Sequence, residues 1–494
     1  MTCAEASIGH VRALERAWIR DRALSGELLD DVVRSTYGYA LRLGASARLW
    51  TRQGESVDVE ALFAPYRAAL CDLMRDLSDD GWSYPDSPAM HGTGTLAWCG
   101  TWHRRTLVER YPEVASLLSR AIRAIYRAYP SYDEFSLQDA LRHKRLVLAL
   151  GGGGGTGYAH LCLFQWLEEL GLTPSLITGT SFGALLGYMR ALQERYDAAM
   201  TMLNLPGLWR ITRSMHPCFG TGTHGLMGLC RIDFGSVCEG VLRSTGWIQP
   251  PSFSELRIPF ACVTTGIVNT AGIGDILAPD RAGLLSGLWR ITQLTWHKAI
   301  RHAAQVAALI SSRESVVPVA FGFDRHSAGM CAIDGVAFST LVPGVFSYEI
   351  PREHYRSRDI VNALFEREHL YRLTDGGLSS NVPVRTARQA VDAGRISTSN
   401  AWILGLDVFA PQARDGLFYP LQQIANANAL EDARAADVFV RLKYLLSPME
   451  LAPSLSRLRW LNARFRKAFQ TEMRVLEYAM APLAPLPALD LMGF

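Results

Sequence analysis

Three short stretches of this chain hold residue types whose chemistry is out of the ordinary. Ser181 lies in Gly179-Thr180-Ser181-Phe182-Gly183, a GxSxG pattern. Five consecutive glycines, Gly151 to Gly155, are followed by Thr156 and Gly157. Asp375 precedes Gly376 and Gly377. A serine hydroxyl is a poor nucleophile until a neighbouring base takes its proton. Glycine is costly to order, so a run of it marks backbone that bends sharply or closely approaches something. Three ligands suit such a loop: a dinucleotide pyrophosphate, a nucleoside triphosphate, or the oxyanion of an acyl-transfer intermediate.

The remaining residues choose among them. Gly152, Gly154 and Gly157 satisfy GxGxxG, but the dinucleotide fingerprint also expects an acidic residue about 20 positions on to hold the ribose. That stretch reads TPSLITGTS, with no Asp or Glu. The triphosphate loop needs lysine where this chain has Tyr158. What stands at the end of the second strand is Ser181, on a turn that projects its hydroxyl, with Gly179 and Gly183 keeping side chains from the bend. The helix that follows directs free N–H groups toward the site. Loop 151–157 then has a different task, to aim main-chain N–H groups of Gly152, Gly153, Gly154 and Gly155 at the oxygen that becomes negative. Losing one such donor typically costs about 2.7–4 kcal/mol of transition-state stabilisation.

The base follows by elimination. An α/β-hydrolase presents serine, then acid, then histidine. The last of the twelve histidines is His369, so Asp375 cannot be the acid of such a triad. No motif supports an earlier acid paired with His302 or His326. The economical arrangement is a dyad in which Asp375 itself accepts the serine proton. An ordinary Asp, with a pKa of about 3.9, is a feeble base at neutral pH, and burial beneath bound lipid would strengthen it. His160, just after the loop, is a further candidate to line the site; the other histidines read as scattered structural residues.

Elements that could position these residues are legible. LVLAL, from Leu146, reads as a buried strand ending at the glycines. YAHLCLFQWLEEL then reads as a helix, with Leu161, Phe164 and Leu167 or Trp166 on one face and a stop at Gly171. SLITGTS, PFACVTTGI and AWILGLDVF are further strands, and FGALLGYMRAL a second helix. Strands alternating with helices imply a largely parallel sheet covered on both faces, an α/β fold. Residues 1–143 read as helical, residues 267–340 as containing an insertion, and residues 411–494 as helical again. In the last segment Leu458, Leu461, Phe465, Phe469, Met473, Leu476 and Met480 form one stripe. Arg457, Arg459, Arg464, Arg466 and Lys467 cluster on other positions. Such a helix either packs on the catalytic domain or lies on an anionic bilayer.

GGGGTG, GTSFG and DGG, in that order and with those flanks, resemble the patatin-like phospholipases. The likeness extends through AHLCLFQWLEELGLTPSLITGTSFGALLG, LVPGVFSYEI and SSNVPV, and covers residues 144–410. It implies a three-layer α/β/α patatin-like domain with a mainly parallel sheet, between helical flanks 1–143 and 411–494. It also implies hydrolysis of lipid acyl esters, with Ser181 as nucleophile, Asp375 as proton acceptor and Gly152–Gly155 as oxyanion loop. Gly157, Gly179, Gly183, Gly376 and Gly377 are the motif glycines. Two positions depart from the family. Thr156 stands where members usually carry Arg or Lys, and Ser175 where an acidic residue is frequent. The competing expectation is a catalytically weak or inactive lipid-binding protein of the same fold.

Bulk properties agree with a globular enzyme. The chain has 494 residues, is 49% hydrophobic and 20% charged, and carries a net charge of +3, which gives no case for nucleic acid. Nine cysteines without a CxxC pair indicate neither a disulfide framework nor a zinc finger. No metal or organic cofactor is required by the expected chemistry. The beginning lacks a secretory layout and no apolar run of spanning length occurs, so a cytoplasmic protein, peripheral at a membrane, is expected.

Overall fold

The computed structural model describes residues 7–79, 82, 89–90, 95–205, 211, 213–217, 223–226, 228–268, 316–412, 419–443 and 445–486. Most of the insertion expected within 267–340 lies outside them.

Residues 7–143 are mainly helical, with α1 (Ile8–Ser25), α2 (Asp31–Gly44) and α3 (Tyr111–Ala128) as their longest members. The chain then enters β1 (Arg145–Leu150), turns through a single 3₁₀ segment, Gly154–Tyr158, and continues as α4 (Ala159–Glu169). β2 (Leu176–Thr180) leads into α5 (Phe182–Ala191), and β3 (Phe260–Val268) is followed by β4 (Val316–Phe321) and α6 (Ala332–Ser339). α7 (Tyr355–Glu368), β5 (Leu370–Thr374), α8 (Val384–Asp392), β6 (Ala401–Asp407), α9 (Tyr419–Ala433), β7 (Val438–Arg441) and α10 (Leu455–Met480) complete the order.

A nine-stranded sheet forms the middle layer, running β4-β3-β2-β1-β6-β7 and ending in two short strands, Thr95–Ala97 and Ala89–Met90, with β5 pairing to β3 off that path. From β3 to β7 every neighbouring pair is parallel. Its two faces are read directly from β1. Leu146, Leu148 and Leu150 join the core shared with α4, α5, α10 and the N-terminal helices. Val147 and Ala149 point the other way, into a smaller core with Val384 and Val391 of α8 and Ala429 of α9. Period-two alternation along a strand buried on both faces therefore builds the three layers. Both flanks contribute strands to this sheet: Leu96 pairs with Phe439 of β7, which pairs in turn with β6.

The apolar stripe of α10 is settled by contact. Leu458, Leu461, Phe465, Phe469, Met473 and Leu476 are buried. Trp166 of α4 meets Phe465 and Phe469 edge-on, with ring centroids 6.3 Å apart. Arg20 of α1 pairs with buried Glu472 at 2.8 Å. A stripe covered by protein is unavailable to a bilayer, so the expected membrane contact cannot use this face. Among the described residues no helix is long and apolar enough to cross a membrane.

Candidate active site

Strand register brings the serine and the aspartate together. β4 occupies one edge of β3 from Cys262 to Ile267. On the opposite edge two strands run toward each other. Parallel β2 ends with Thr180 against Val263, and antiparallel β5 ends with Thr374 against Thr265. The next residue of each is Ser181 and Asp375. Ser181 Oγ donates a hydrogen bond of 2.6 Å to Asp375 Oδ2. A sequence separation of 194 is spanned by two register positions of one strand.

Ser181 holds a conformation that serine rarely adopts, with φ 52° and ψ −126°. Such backbone costs about 1–3 kcal/mol and persists only where its surroundings impose it. Two features impose it here. The Ser181 N–H donates to Ser339 Oγ at 2.8 Å, and Ser339, the last residue of α6, donates in turn to the Val263 carbonyl. Across the bend, a Cβ on Gly183 would stand 2.4 Å from the Leu150 carbonyl oxygen, so only glycine permits this approach of α5 to β1. Gly179 lies under the start of α5, Gly157 against the Phe182 ring, and Gly376 against the Val263 carbonyl.

Asp375 is buried, and burial drives its carboxyl pKa up to about 6, against the lowering effects of the Ser181 hydroxyl and the Gly377 N–H. Gly377 donates to Asp375 Oδ1 at 2.8 Å, which leaves Oδ2 to the serine. The sequence leads one to expect a carboxylate strengthened by covering lipid; the protein's own packing already does this.

The glycine loop lies beside the pair, with a Cβ on Gly152 placed 2.9 Å from Ser181 Cβ. Its N–H groups are not equivalent. Gly152 donates to the Asn381 carbonyl at 3.1 Å and Gly155 to the Pro448 carbonyl at 2.8 Å. Two of the four expected oxyanion donors are thus turned to other acceptors. Among the described residues, no hydrogen bond is made by the N–H groups of Gly153 or Gly154. Gly154, at φ 58°, shares the lining of a cavity with Ser181. Thr156 Oγ1 donates to the Gly153 carbonyl at 2.8 Å. In a trans peptide that carbonyl and the following N–H point in opposite directions, so Thr156 fixes where the Gly154 N–H is aimed.

His160 is buried under the loop and does not line the cavity. Its Nε2 lies 2.9 Å from the Gly151 carbonyl, which can only accept, so Nε2 carries the proton. Burial lowers its pKa to about 4, keeping the ring neutral at physiological pH. His326 lies in a different cavity, and His302 falls outside the described residues.

The cavity beside Ser181 has a volume of about 130 Å³ and a mainly apolar wall that includes Leu186, Met189, Phe234, Val342 and Phe346. Loop 445–451 closes one side, where Leu451 lines the cavity and its carbonyl accepts from the Tyr158 hydroxyl at 2.6 Å. Three contributors escaped the sequence reading. Ser339 is a lone hydroxyl in an apolar helix and gave no signal. Pro448 acts through its main chain, which no side-chain pattern marks. Asn381 also acts through a carbonyl, although SSNVPV lay within the recognised likeness. Among the described residues, the group with metal-ligand geometry, Cys331, Asp334 and His354, lies apart from this cavity.

Residues 148–388 match the patatin-like phospholipase family. This stretch is a patatin-like phospholipase domain. Its three-layer α/β/α architecture is that of the family, whose members are lipid hydrolases. A lysophospholipase of Mycosarcoma maydis is 29% identical over 178 residues, covering 34% of this chain and 9% of that protein. An uncharacterized NTE family protein of Mycobacterium tuberculosis is 30% identical over 124 residues, 25% of this chain and 31% of its own length. The human patatin-like phospholipase domain-containing protein 6 is 34% identical over 105 residues, 20% of this chain and 7% of its own. The chain therefore spans less than a third of the length of these relatives.

Proposed function

We propose that the chain is a serine hydrolase that cleaves acyl esters of phospholipids or lysophospholipids through a Ser181–Asp375 dyad. The observation that carries this is the 2.6 Å hydrogen bond from a strained serine to a buried carboxylate, beside an apolar cavity. An acyl chain occupies the cavity, with its ester carbonyl over Ser181. As Oγ attacks the carbonyl carbon, its proton passes to Asp375 Oδ2 and the carbonyl oxygen becomes negative. The N–H groups of Gly153 and Gly154 receive that charge. Collapse breaks the ester C–O bond, and the departing alcohol takes the proton from Asp375. Water then attacks the acyl-enzyme and gives a proton to Asp375; the acyl C–Oγ bond breaks, Oγ takes that proton back from Asp375, and the fatty acid leaves.

Thr156 fits this reading. Where a basic residue is usual, its hydroxyl ties down the Gly153 carbonyl and so keeps the loop in a donor-presenting shape. The membrane contact, if made by α10, uses the face away from its buried stripe. Trp460 is 41% exposed there and lies under the Arg457 guanidinium at 4.9 Å, an amphipathic pairing suited to a headgroup layer.

The test is chromatographic. Purified protein incubated with mixed phospholipid and lysophospholipid is expected to release free fatty acid together with the matching deacylated alcohol. Absence of both products with every lipid offered, from protein shown to be folded, contradicts the proposal.

A further inference from the structure

Cys331 is the N-cap residue of α6, and Asp334 lies in that helix's first turn, three positions on. Residues so spaced lie on one side of a helix. His354 is the N-cap residue of α7. The Cys331 sulfur, an Asp334 oxygen and a His354 ring nitrogen all lie within 4.8 Å of one another. The three segments that meet here are tied together independently of those side chains. The Cys331 N–H donates to Ser357 Oγ of α7 at 3.0 Å, and a β-bridge joins Cys331 to Ser252.

From this we infer a binding site for a zinc-class divalent cation, held by Cys331, Asp334 and His354, with water at the fourth position. Thiolate, imidazole and carboxylate are the donor types zinc takes, and three protein ligands plus one open position is a common zinc arrangement. Tetrahedral coordination at 2.0–2.3 Å places donor atoms about 3.3–3.8 Å apart, inside the 4.8 Å that bounds the group. His354 Nδ1, now 2.9 and 3.0 Å from the two Asp334 oxygens, moves outward by a few tenths of an ångström in roughly that geometry.

The support around the site is that of a ligand set. Asp334 is fully buried and accepts a hydrogen bond from the Tyr348 hydroxyl, which orients its carboxylate. Cys331 and His354 are partly exposed, giving an ion a route in from solvent. A salt bridge between Asp334 and His354 would be complete without a thiol. The Cys331 sulfur meets the His354 ring and, at a long 3.7 Å, the Pro250 carbonyl. Binding releases two protons to solvent, one from the thiol and one from the imidazolium that pairs with Asp334, and leaves a thiolate and a neutral imidazole as ligands. α6 then links two functions: the cation site at its first turn and, at its last residue, the Ser339 hydroxyl that holds the Ser181 N–H.

Cobalt(II) tests this in the tag-free, metal-stripped full chain. The expected result is one equivalent bound with a sulfur-to-cobalt charge-transfer absorption in the near ultraviolet, which zinc bleaches. Cys331→Ser removes the band, and His354→Gln weakens cobalt binding by about tenfold or more. A wild-type experiment stands should the variants misfold: zinc is expected to slow alkylation of Cys331, read by peptide mass spectrometry. No cobalt–sulfur band in wild type, an unchanged band in folded Cys331→Ser, or no zinc protection of Cys331 overturns the site.

Discussion

Ser181 with Asp375 and Ser327 with Asp324 are two of the serine–aspartate pairs in this chain, each beside a cavity, and they behave in opposite ways. Ser327 donates its hydroxyl and its N–H to Asp324 Oδ1, at 2.7 and 2.8 Å. That pair lines the larger cavity, about 540 Å³, against edge strand β4, among charged neighbours such as Arg367 and Glu368. Ser181 and Asp375 line or adjoin the smaller one, about 130 Å³. Burial pushes Asp324 up, but the N–H and hydroxyl of Ser327 outweigh it and leave its carboxyl below the ordinary value. At Asp375 burial prevails over the same kinds of hydrogen bond. Contact between a hydroxyl and a carboxylate therefore does not by itself set the carboxyl's pKa. Desolvation of the acid, strain at the serine and vacant N–H donors beside it distinguish the two sites. Cavity volume does not.

The largest expected contrast is between the serines. Ser181→Ala should lower kcat/KM for ester hydrolysis by at least about 10³-fold, whereas Ser327→Ala should leave it within about twofold. Steady-state hydrolysis by both variants checks this. Comparable losses in the two would erase the distinction drawn here.

The aspartates should separate next, in activity and in stability with opposite signs. Removing the base by Asp375→Asn is expected to cost about 10²–10⁴-fold in kcat. Because the folded-state pKa of Asp375 lies above its unfolded value, ionisation in place destabilises the fold. Its stabilising contribution is present below about pH 4 and is lost as pH rises through about 6. Asp375→Asn should then raise unfolding free energy at pH 8 by on the order of 2 kcal/mol, with the gain vanishing toward pH 4. Asp324, held low, contributes stability above its unfolded pKa and loses it as pH falls, so Asp324→Asn should destabilise at pH 8. Denaturant titrations at the two pH values read both signs.

A smaller effect follows from the same shift. In wild type, kcat/KM should rise with a single ionisation near pH 6 and level off above it. A profile flat from pH 5 to 8 would argue that no group of this kind is used. Smallest is the loop. Thr156→Val keeps the shape of the side chain but frees the Gly153 carbonyl, and should reduce kcat by roughly tenfold with KM little changed. Thr156→Ser, which retains the hydroxyl, should recover most of the loss.

How much of this was readable beforehand differs from element to element for physical reasons. β1, β2 and α5 are apolar runs punctuated by glycine, and they stand where the residue pattern placed them. β4 was hidden because VVPVAF contains Pro318, which an edge strand tolerates and which argues against a strand on sequence grounds. The pairing of Ser181 with Asp375 was anticipated from the motifs, yet its cause, two strands meeting end to end along β3, lies in register that no local pattern encodes. The stripe on α10 was visible, but core-facing and lipid-facing stripes share one period, so its direction needed Trp166 and Glu472. A cysteine, an aspartate and a histidine spread over residues 331–354 without CxxC spacing gave no sign of meeting.

The central claim is that Asp375 activates Ser181, and the most direct measurement is the rate at which a fluorophosphonate modifies the protein, with the adduct located by peptide mass spectrometry. The account predicts one adduct, on Ser181, formed at a rate that falls as pH drops through about 6 and is at least about 10²-fold slower in Asp375→Asn. Labelling at another residue, or undiminished labelling of Ser181 in folded Asp375→Asn, would contradict it.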